Sequence, residues 1–233
     1  MTGHPKPGGR RATRPKAPGK ARAKPRVARG QRGTMILDKA IDFFAEHGPN
    51  AQTRALAAAC GVNQRLLYRY FSSKASLQAA VFQEAIITPF QAVWLVQLKD
   101  RSIPFEQRLA EFYRNYYAAV LTRKWLRLFL FDSLAETRMA PGYFELVILE
   151  LLETVVIEAS HDLAVKLPKS RALVHEIGWV LHGAVSHLGI RRQVYAAGSH
   201  VPEQHVIVLL VRGFLAGFAA LVTEARAFEA AGK

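Results

Sequence analysis

The sequence predicts an all-α fold of about nine helices, a small three-helix unit followed by a larger helical body. Three observations carry this. Apolar residues recur three and four positions apart through most of the chain, the period of one helix face. Gly and Pro fall between those periodic stretches, where they end one helix and open the next. No stretch shows convincing alternation of apolar and polar residues with the period of two that a half-buried strand requires.

Taken in order, residues 1–30 are rich in Pro, Gly, Lys and Arg and nearly lack large apolar side chains. Such a segment buries too little surface to offset its ordering entropy, so it is expected to be a disordered basic tail. From Gln31 a helix follows, with Ile36, Leu37, Ala40, Ile41 and Phe44 as its stripe and Gly48-Pro49 as its stop. Thr53 is expected to cap a short helix carrying Leu56, Ala57 and Cys60, which Gly61 ends. Asn63 caps the next short helix, carrying Leu66, Leu67 and Tyr70. Ser72 and Ser73 punctuate again, and a longer helix runs from about Lys74 to Ile87.

Thr88-Pro89 marks a break, because Pro has no N–H and restricts the residue before it. Helix resumes over 89–99, and Pro104 is expected at the first helical position of the next. That helix aligns Phe105, Leu109, Phe112, Tyr113, Tyr116, Tyr117 and Val120. Further helices are expected at about 123–137, 143–166, 169–196 and 202–228, with Pro141-Gly142, Pro168 and the Ala196–Ser199 stretch between them.

The net charge of +14 is unevenly placed. Residues 1–33 carry four Lys and seven Arg with no acid, +11. Residues 34–82 carry five basic and three acidic residues, +2, and residues 83–233 carry sixteen and fifteen, +1. The excess therefore belongs to the tail, which suits a polyanion, nucleic acid above all, or else serves only as a solvated arm. Cys60 is the sole cysteine, so no intrachain disulfide can form. The N-terminus has no apolar leader, and Arg212 and Glu150 interrupt the longest apolar stretches. No membrane span is expected, and the expected location is the cytoplasm.

Residues 53–71 read TRALAAACGVNQRLLYRYF, followed by Lys74. A capped short helix, a Gly turn and a second capped short helix make a helix-turn-helix. Small Ala57, Ala58 and Ala59 let the two helices approach, and Gly61 supplies the positive φ of the turn. The second helix offers Gln64, Arg65, Tyr68 and Arg69. Gln pairs bidentately with adenine and Arg with guanine in the major groove. Tyr68, Tyr70 and Lys74 suit phosphate, as does the helix start at Thr53 and Arg54. The expected DNA-binding set is Thr53, Arg54, Asn63, Gln64, Arg65, Tyr68, Arg69, Tyr70 and Lys74.

These residues resemble the DNA-binding domain of the TetR family of repressors. The resemblance rests on ILDKAIDFFAEHG at 36–48, T-R-x-L-A at 53–57, GVN at 61–63, LYRYF at 67–71, and Lys74 followed by Leu77. Asn63 stands where Ser or Thr is usual, Arg65 where a small residue is common, Leu66 where Thr is common, and Tyr70 where His is frequent. An operator sequence therefore does not carry over. The resemblance implies a helix-turn-helix domain over 31–82 and an effector-binding and dimerisation domain over 83–233. It also implies a homodimer reading a palindromic operator in double-stranded DNA, released by a small ligand.

The body offers support of its own. The last two helices carry long apolar faces, Leu173, Ile177, Val180, Leu181, Ala184 and Leu188 on one, and Val206, Leu209, Leu210, Phe214, Phe218 and Leu221 on the other. Gly213 and Gly217 would let a second copy approach closely, as a four-helix bundle between two chains requires. Aromatic residues crowd positions 90–144, and the expected pocket for an apolar or aromatic effector comprises Phe90, Trp94, Tyr113, Tyr117, Tyr143, Trp179 and His182. The helix before Thr88-Pro89 could tilt on that hinge and change the half-site spacing. His175 and His182 lie two turns apart, about 10 Å, and no paired ligand motif exists, so no metal is expected. No phosphate loop, nucleophile elbow or persuasive carboxylate pair is present, so neither a catalytic residue nor a cofactor is expected. The competing reading is an effector-independent or architectural DNA-binding protein, held chiefly by the tail's phosphate contacts.

Overall fold

A computed structural model describes residues 1–3, 29–135 and 140–232. Most of the expected disordered tail therefore lies outside the described residues, as does the last turn expected near 136–137. Among the described residues the chain is all-α.

Helix α1 (Arg29–His47) buries Ile36, Ala40 and Phe44 and ends at Gly48, whose φ of 78° continues the chain out of the helix. Helices α2 (Thr53–Ala59) and α3 (Gln64–Tyr70) follow, then α4 (Lys74–Phe82). Ser73 and Ser76 close a capping box at the start of α4, each side chain accepting from the other's backbone N–H. The last turn widens into a π-helical turn, Gln83–Ile87, closed by Thr88 N–H donating to the Gln83 carbonyl at 3.0 Å. The expected break at Thr88-Pro89 is a turn, and helix resumes only at α5 (Val93–Leu98).

Helix α6 (Phe105–Ala119) buries the whole expected apolar face. Pro104 stands at its N-cap rather than at its first helical position, and the Pro104 carbonyl accepts from Gln107 and Arg108. Pro202 occupies the same position before the last helix. Helix α7 (Arg123–Leu134) is capped by Thr122. Pro141-Gly142 does not break a helix: α8 (Ala140–Tyr143), a π-helical turn (Phe144–Ile148) and α9 (Leu149–Asp162) run on as one rod, with Pro141 in the first turn, where its missing N–H is harmless. That rod stops at Asp162, short of the expected 166. Ala164 takes the left-handed conformation (φ 52°), and Ala164 and Val165 N–H return to the His161 and Ser160 carbonyls in a Schellman closure.

Helices α10 (Arg171–Gln193) and α11 (Glu203–Ala231) complete the body. α10 crosses α9 so closely that a methyl group on Gly178 would stand 2.9 Å from Leu152 Cβ. α11 lies on α6 and α10, burying Ile207, Val211, Phe214, Phe218 and Val222. It is also long and apolar enough to cross a membrane, which the sequence reading did not expect, although only 28% of its most apolar stretch is buried. Arg212 on this helix pairs with Glu106 of α6 at 2.7 Å.

Candidate DNA interface and ligand cavity

The turn between α2 and α3 is built by local chemistry. Gly61 has φ 67°, Gly61 N–H donates to the Ala58 carbonyl, and Val62 N–H donates to the Ala57 carbonyl, each at 3.0 Å. This is a Schellman closure, and Val62 packs against the core as its apolar contact. Nothing crowds the Gly61 Cα, so glycine is required by the backbone angle and not by space. Of the three expected small contacts only Ala57 is buried; Ala58 and Ala59 are exposed. Leu56 and Leu67 close the core beneath, and the Cys60 thiol lies on the Ile36 carbonyl of α1. Burial pushes that thiol up, away from the reactive thiolate.

Asn63 caps α3, its Oδ1 accepting from Leu66 N–H at 2.8 Å. Gln64, Arg65, Tyr68 and Arg69 are exposed along this helix. Arg54 is exposed on α2. Thr53 is half-buried and is the first helical residue; the cap position belongs to Gln52, whose side chain makes no capping bond. The Tyr70 ring lies over Gly33 of α1, with the Arg69 guanidinium 5.9 Å from its centre. The Lys74 ammonium donates to the Ala51 carbonyl at 2.9 Å, and the Gln78 amide donates to the Pro49 carbonyl at 2.9 Å. These two bonds tie the loop before α2 to α4. Between residues 47 and 83 the chain carries Arg54, Arg65, Arg69 and Lys74 and no carboxylate, so α2, α3 and the turn between them carry positive charge only.

In the body, α6, α7, the α8 rod and α10 line a partly open cavity of about 130 Å³ with almost wholly apolar walls. Trp125 and Phe129 stack at 4.7 Å on α7, and both rings meet Tyr143 edge-on, at 5.7 and 5.9 Å. On the α10 side, Trp179 and Tyr116 flank His182 at 5.4 and 5.3 Å. Of the expected pocket residues, Tyr143, Trp179 and His182 line this cavity. Tyr113 stands behind His182, at 6.1 Å. Phe90 lies beyond Tyr116, at 6.4 Å, and Trp94 beyond Phe112, at 6.3 Å, where it lines a separate surface cleft of about 340 Å³. Tyr117 points away from the cavity toward the end of α10, beside Gln193, Arg192 and Glu203.

Burial dominates the chemistry of these groups. It lowers His182 to about 4, so the imidazole is neutral at pH 7. It raises Tyr143 to about 12 and moves Tyr113 and Tyr116 upward as well.

Residues 36–81 match the family model of bacterial regulatory proteins of the tetR family. The helix-turn-helix segment is thus that of the tetR family of bacterial regulators. An HTH-type transcriptional repressor of Mycobacterium tuberculosis is 29% identical over 165 residues, which span 70% of this chain and 80% of that protein. An HTH-type transcriptional regulator of Mycobacterium bovis matches to the same extent, 29% over 165 residues. Among solved structures, a TetR-like transcriptional regulator from Rhodococcus sp. RHA1 shares the fold with a TM-score of 0.63 at 20% identity, covering 82% of this chain and all of that one (100%). The fatty acid degradation regulator FadR from Bacillus halodurans shares it with a TM-score of 0.58 at 18% identity, covering 81% of this chain and 97% of that one.

Helix α7 touches both regions. One face, with Trp125, Leu126, Phe129 and Leu130, lines the cavity. The Trp125 indole N–H donates to the Ile86 carbonyl in the π turn that ends the α4 rod, at 3.1 Å. The other face holds the end of α1. Arg127 donates to the Ala45 and Glu46 carbonyls at 2.5 and 3.0 Å, Lys124 pairs with Asp42 at 2.5 Å, and the Phe131 ring packs on Gly48. Trp125, Phe129 and Phe131 belong to the aromatic-rich stretch the sequence marked out but not to the expected pocket set, and Lys124 and Arg127 were not expected as contacts. The available signal was the i, i+4 aromatic pair Trp125 and Phe129 on a helix that also carries Lys124 and Arg127.

Proposed function

We propose that this TetR-family DNA-binding transcriptional regulator is a homodimeric repressor whose operator is released when a small apolar or aromatic effector enters the body. The observation that carries the reading is the exposed, carboxylate-free face of α3, locked by the Gly61 turn and the Asn63 cap. In this reading Gln64 and Arg65 read base edges, with Arg69 beside them, while Arg54, Tyr68, Lys74 and the Thr53 end of α2 hold phosphate. Asn63 orients α3, and Tyr70 braces it on α1. The tail adds affinity that does not depend on sequence.

Two copies are needed because two recognition helices about 34 Å apart read a palindrome. The uncovered stripe of α11, Leu209, Gly213, Ala216 and Ala220, and that of α10, Val180 and His187, support this pairing. No atom of the same chain lies within 4 Å of where a methyl group would stand on Gly183, Gly213 or Gly217, which leaves room for a partner helix. A pairing of this kind also accounts for the apolar composition of α11 without a membrane, and the regulator acts in the cytoplasm, where its DNA is.

A ligand among Trp125, Phe129, Tyr143 and Trp179 would displace α7, which holds the π turn after α4 and the end of α1. Lys74 and Gln78 carry the movement to the loop before α2. The ligand must prefer the DNA-incompetent arrangement, because equal affinity for both arrangements shifts nothing. The test is reciprocal linkage. With the full chain and an operator selected from random duplexes, an effector that weakens operator binding must itself bind more weakly, by the same factor, to the operator complex. If every compound that binds the body leaves operator affinity unchanged, the effector-independent reading takes its place.

A further inference from the structure

We infer that Arg127 of α7 sets how far apart the two half-sites of the operator must lie, by fixing the angle at which the body holds the helix-turn-helix unit, a step that rests on the homodimer reading above.

The sequence leaves a gap at the end of α1. In a continuing helix the Ala45 carbonyl would accept from the N–H four residues later, but that residue is Pro49, which has none. The Gly48 N–H is already given to the Phe44 carbonyl at 2.9 Å. Ala45 is buried, so its carbonyl needs another donor.

Arg127 supplies that donor from the body. Its Nε donates to the Ala45 carbonyl at 2.5 Å and its Nη2 to the Glu46 carbonyl at 3.0 Å. Nη2 also lies 3.4 Å from the Glu46 carboxylate. A cation suits the negative end of a helix, and two carbonyls on one planar, rigid fork fix direction as well as distance. The guanidinium stands 5.3 Å from the centre of the Phe131 ring, which packs on Gly48. Arg127 is mostly out of solvent, whereas the neighbouring Lys124–Asp42 pair is exposed and contributes little.

The second grip is on the other face of α7, where the Trp125 indole holds the Ile86 carbonyl after α4. Helices α1 and α4 flank α2 and α3 in the chain and pack on each other. Held at both ends, the unit cannot swing on the body. Without Arg127 it keeps the Trp125 attachment and pivots there. A swing moves the recognition helices of two symmetric copies in opposite directions, so each tilt counts twice in the spacing. Nothing within α3 changes, so base reading inside one half-site does not depend on Arg127. Arg127 is thus a positioning residue that acts on DNA through α1.

The test uses the full chain and inverted copies of its selected half-site, separated by spacers that cover about one turn of DNA. The intact chain is expected to favour one spacer by at least about fivefold over those one base pair longer or shorter, the loss of one good base contact. Arg127→Ala, checked for folding by circular dichroism, should lose that preference while affinity for a single half-site and base preference within it stay unchanged. Arg127→Met keeps the apolar stem without the donors and should lose it too, which carries the test if the alanine variant fails to fold. Lys124→Ala should behave as the intact chain does. A purely structural role would weaken every spacer alike and leave the preference. Arg127 variants that keep the full preference or alter base preference inside the half-site, or a Lys124→Ala effect as large as theirs, would overturn the inference and leave the homodimer reading standing. An intact chain that reads its half-site but favours no spacer would overturn the homodimer reading and the inference with it.

Discussion

On α3, Gln64, Arg65, Tyr68 and Arg69 stand in water, and no carboxylate lies nearby in the sequence. In the body, aromatic rings line a partly open cavity without charged side chains, and the polar atoms of Tyr113, Tyr143 and His182 are buried among them. The first region keeps its donors available for a large, highly charged partner. The second keeps charge out, which suits a small neutral one. The difference shows where each region is vulnerable. The DNA face depends on a few backbone angles in a small unit, and the body depends on long-range packing and on how its buried charges are paired.

The largest effect is expected at a buried ion cluster that braces the body. Glu158 on α9 accepts from Arg101 at 2.9 and 3.1 Å and from Arg108 at 3.2 Å, while Arg108 also holds the Leu98 and Ile103 carbonyls. Burial alone would raise the Glu158 carboxyl, but the two guanidinium groups outweigh it and hold it below its ordinary value. Glu158→Ala would leave Arg108 buried without its counter-ion, at a cost of about 3–5 kcal/mol. Thermal unfolding checks this, and a loss below about 1 kcal/mol would mean that the two carbonyls alone satisfy Arg108.

Gly178→Ala comes next. The new methyl would meet the Leu152 side chain at 2.9 Å and its carbonyl oxygen at 3.1 Å, and backbone cannot easily yield. An overpacking cost of about 1–3 kcal/mol is expected in denaturant unfolding. By contrast Gly183→Ala and Gly213→Ala meet nothing within their own chain, so they should spare the monomer fold and weaken the dimer in sedimentation measurements.

Gly61→Ala probes the other region. It meets no neighbour but forces alanine to φ 67°, a strain of about 1–2 kcal/mol. Operator binding should fall while effector binding by the body stays unchanged. Equal losses in both would show that the two regions do not answer separately to local and long-range changes.

A smaller effect is expected on acidification. His182 is lowered in the folded chain to about 4, below its ordinary 6.5. The unfolded state therefore takes up the proton first, and stability should fall as the pH drops from about 6.5 toward 4. His182→Asn should flatten the upper part of this range, before the carboxylates that are lowered in the fold, Glu158 and Glu203, begin to be protonated. An unchanged pH profile in that variant would remove His182 as the cause.

The two regions also differ in how far the sequence exposed them. The α3 face was legible because cap, turn and periodicity are local: Gly61 and Asn63 carry their conformations with them. The cavity was not, because neighbours on one helix part company. Tyr116 faces the cavity and Tyr117 the far end of α10, a distinction set by which helix packs on each side. Trp125 was legible as core and illegible as a bond to Ile86, since nothing local places an indole beside a π turn thirty-nine residues earlier. The end of α9 escaped for a different reason: the left-handed residue there is Ala164, where glycine would have signalled it.

The most direct measurement is the ratio of operator to random-duplex affinity at one fixed salt concentration, for the intact chain and for a Gln64→Ala, Arg65→Ala double variant. Fixed salt holds the phosphate contribution of the tail constant. The intact chain should favour its operator by at least about a thousandfold. The double variant should lose about 1–3 kcal/mol of that preference for each bidentate pair removed, with random-duplex binding weakened far less. An intact chain that binds operator and random duplex alike, or a double variant that keeps the full ratio, would contradict the claim that α3 reads sequence.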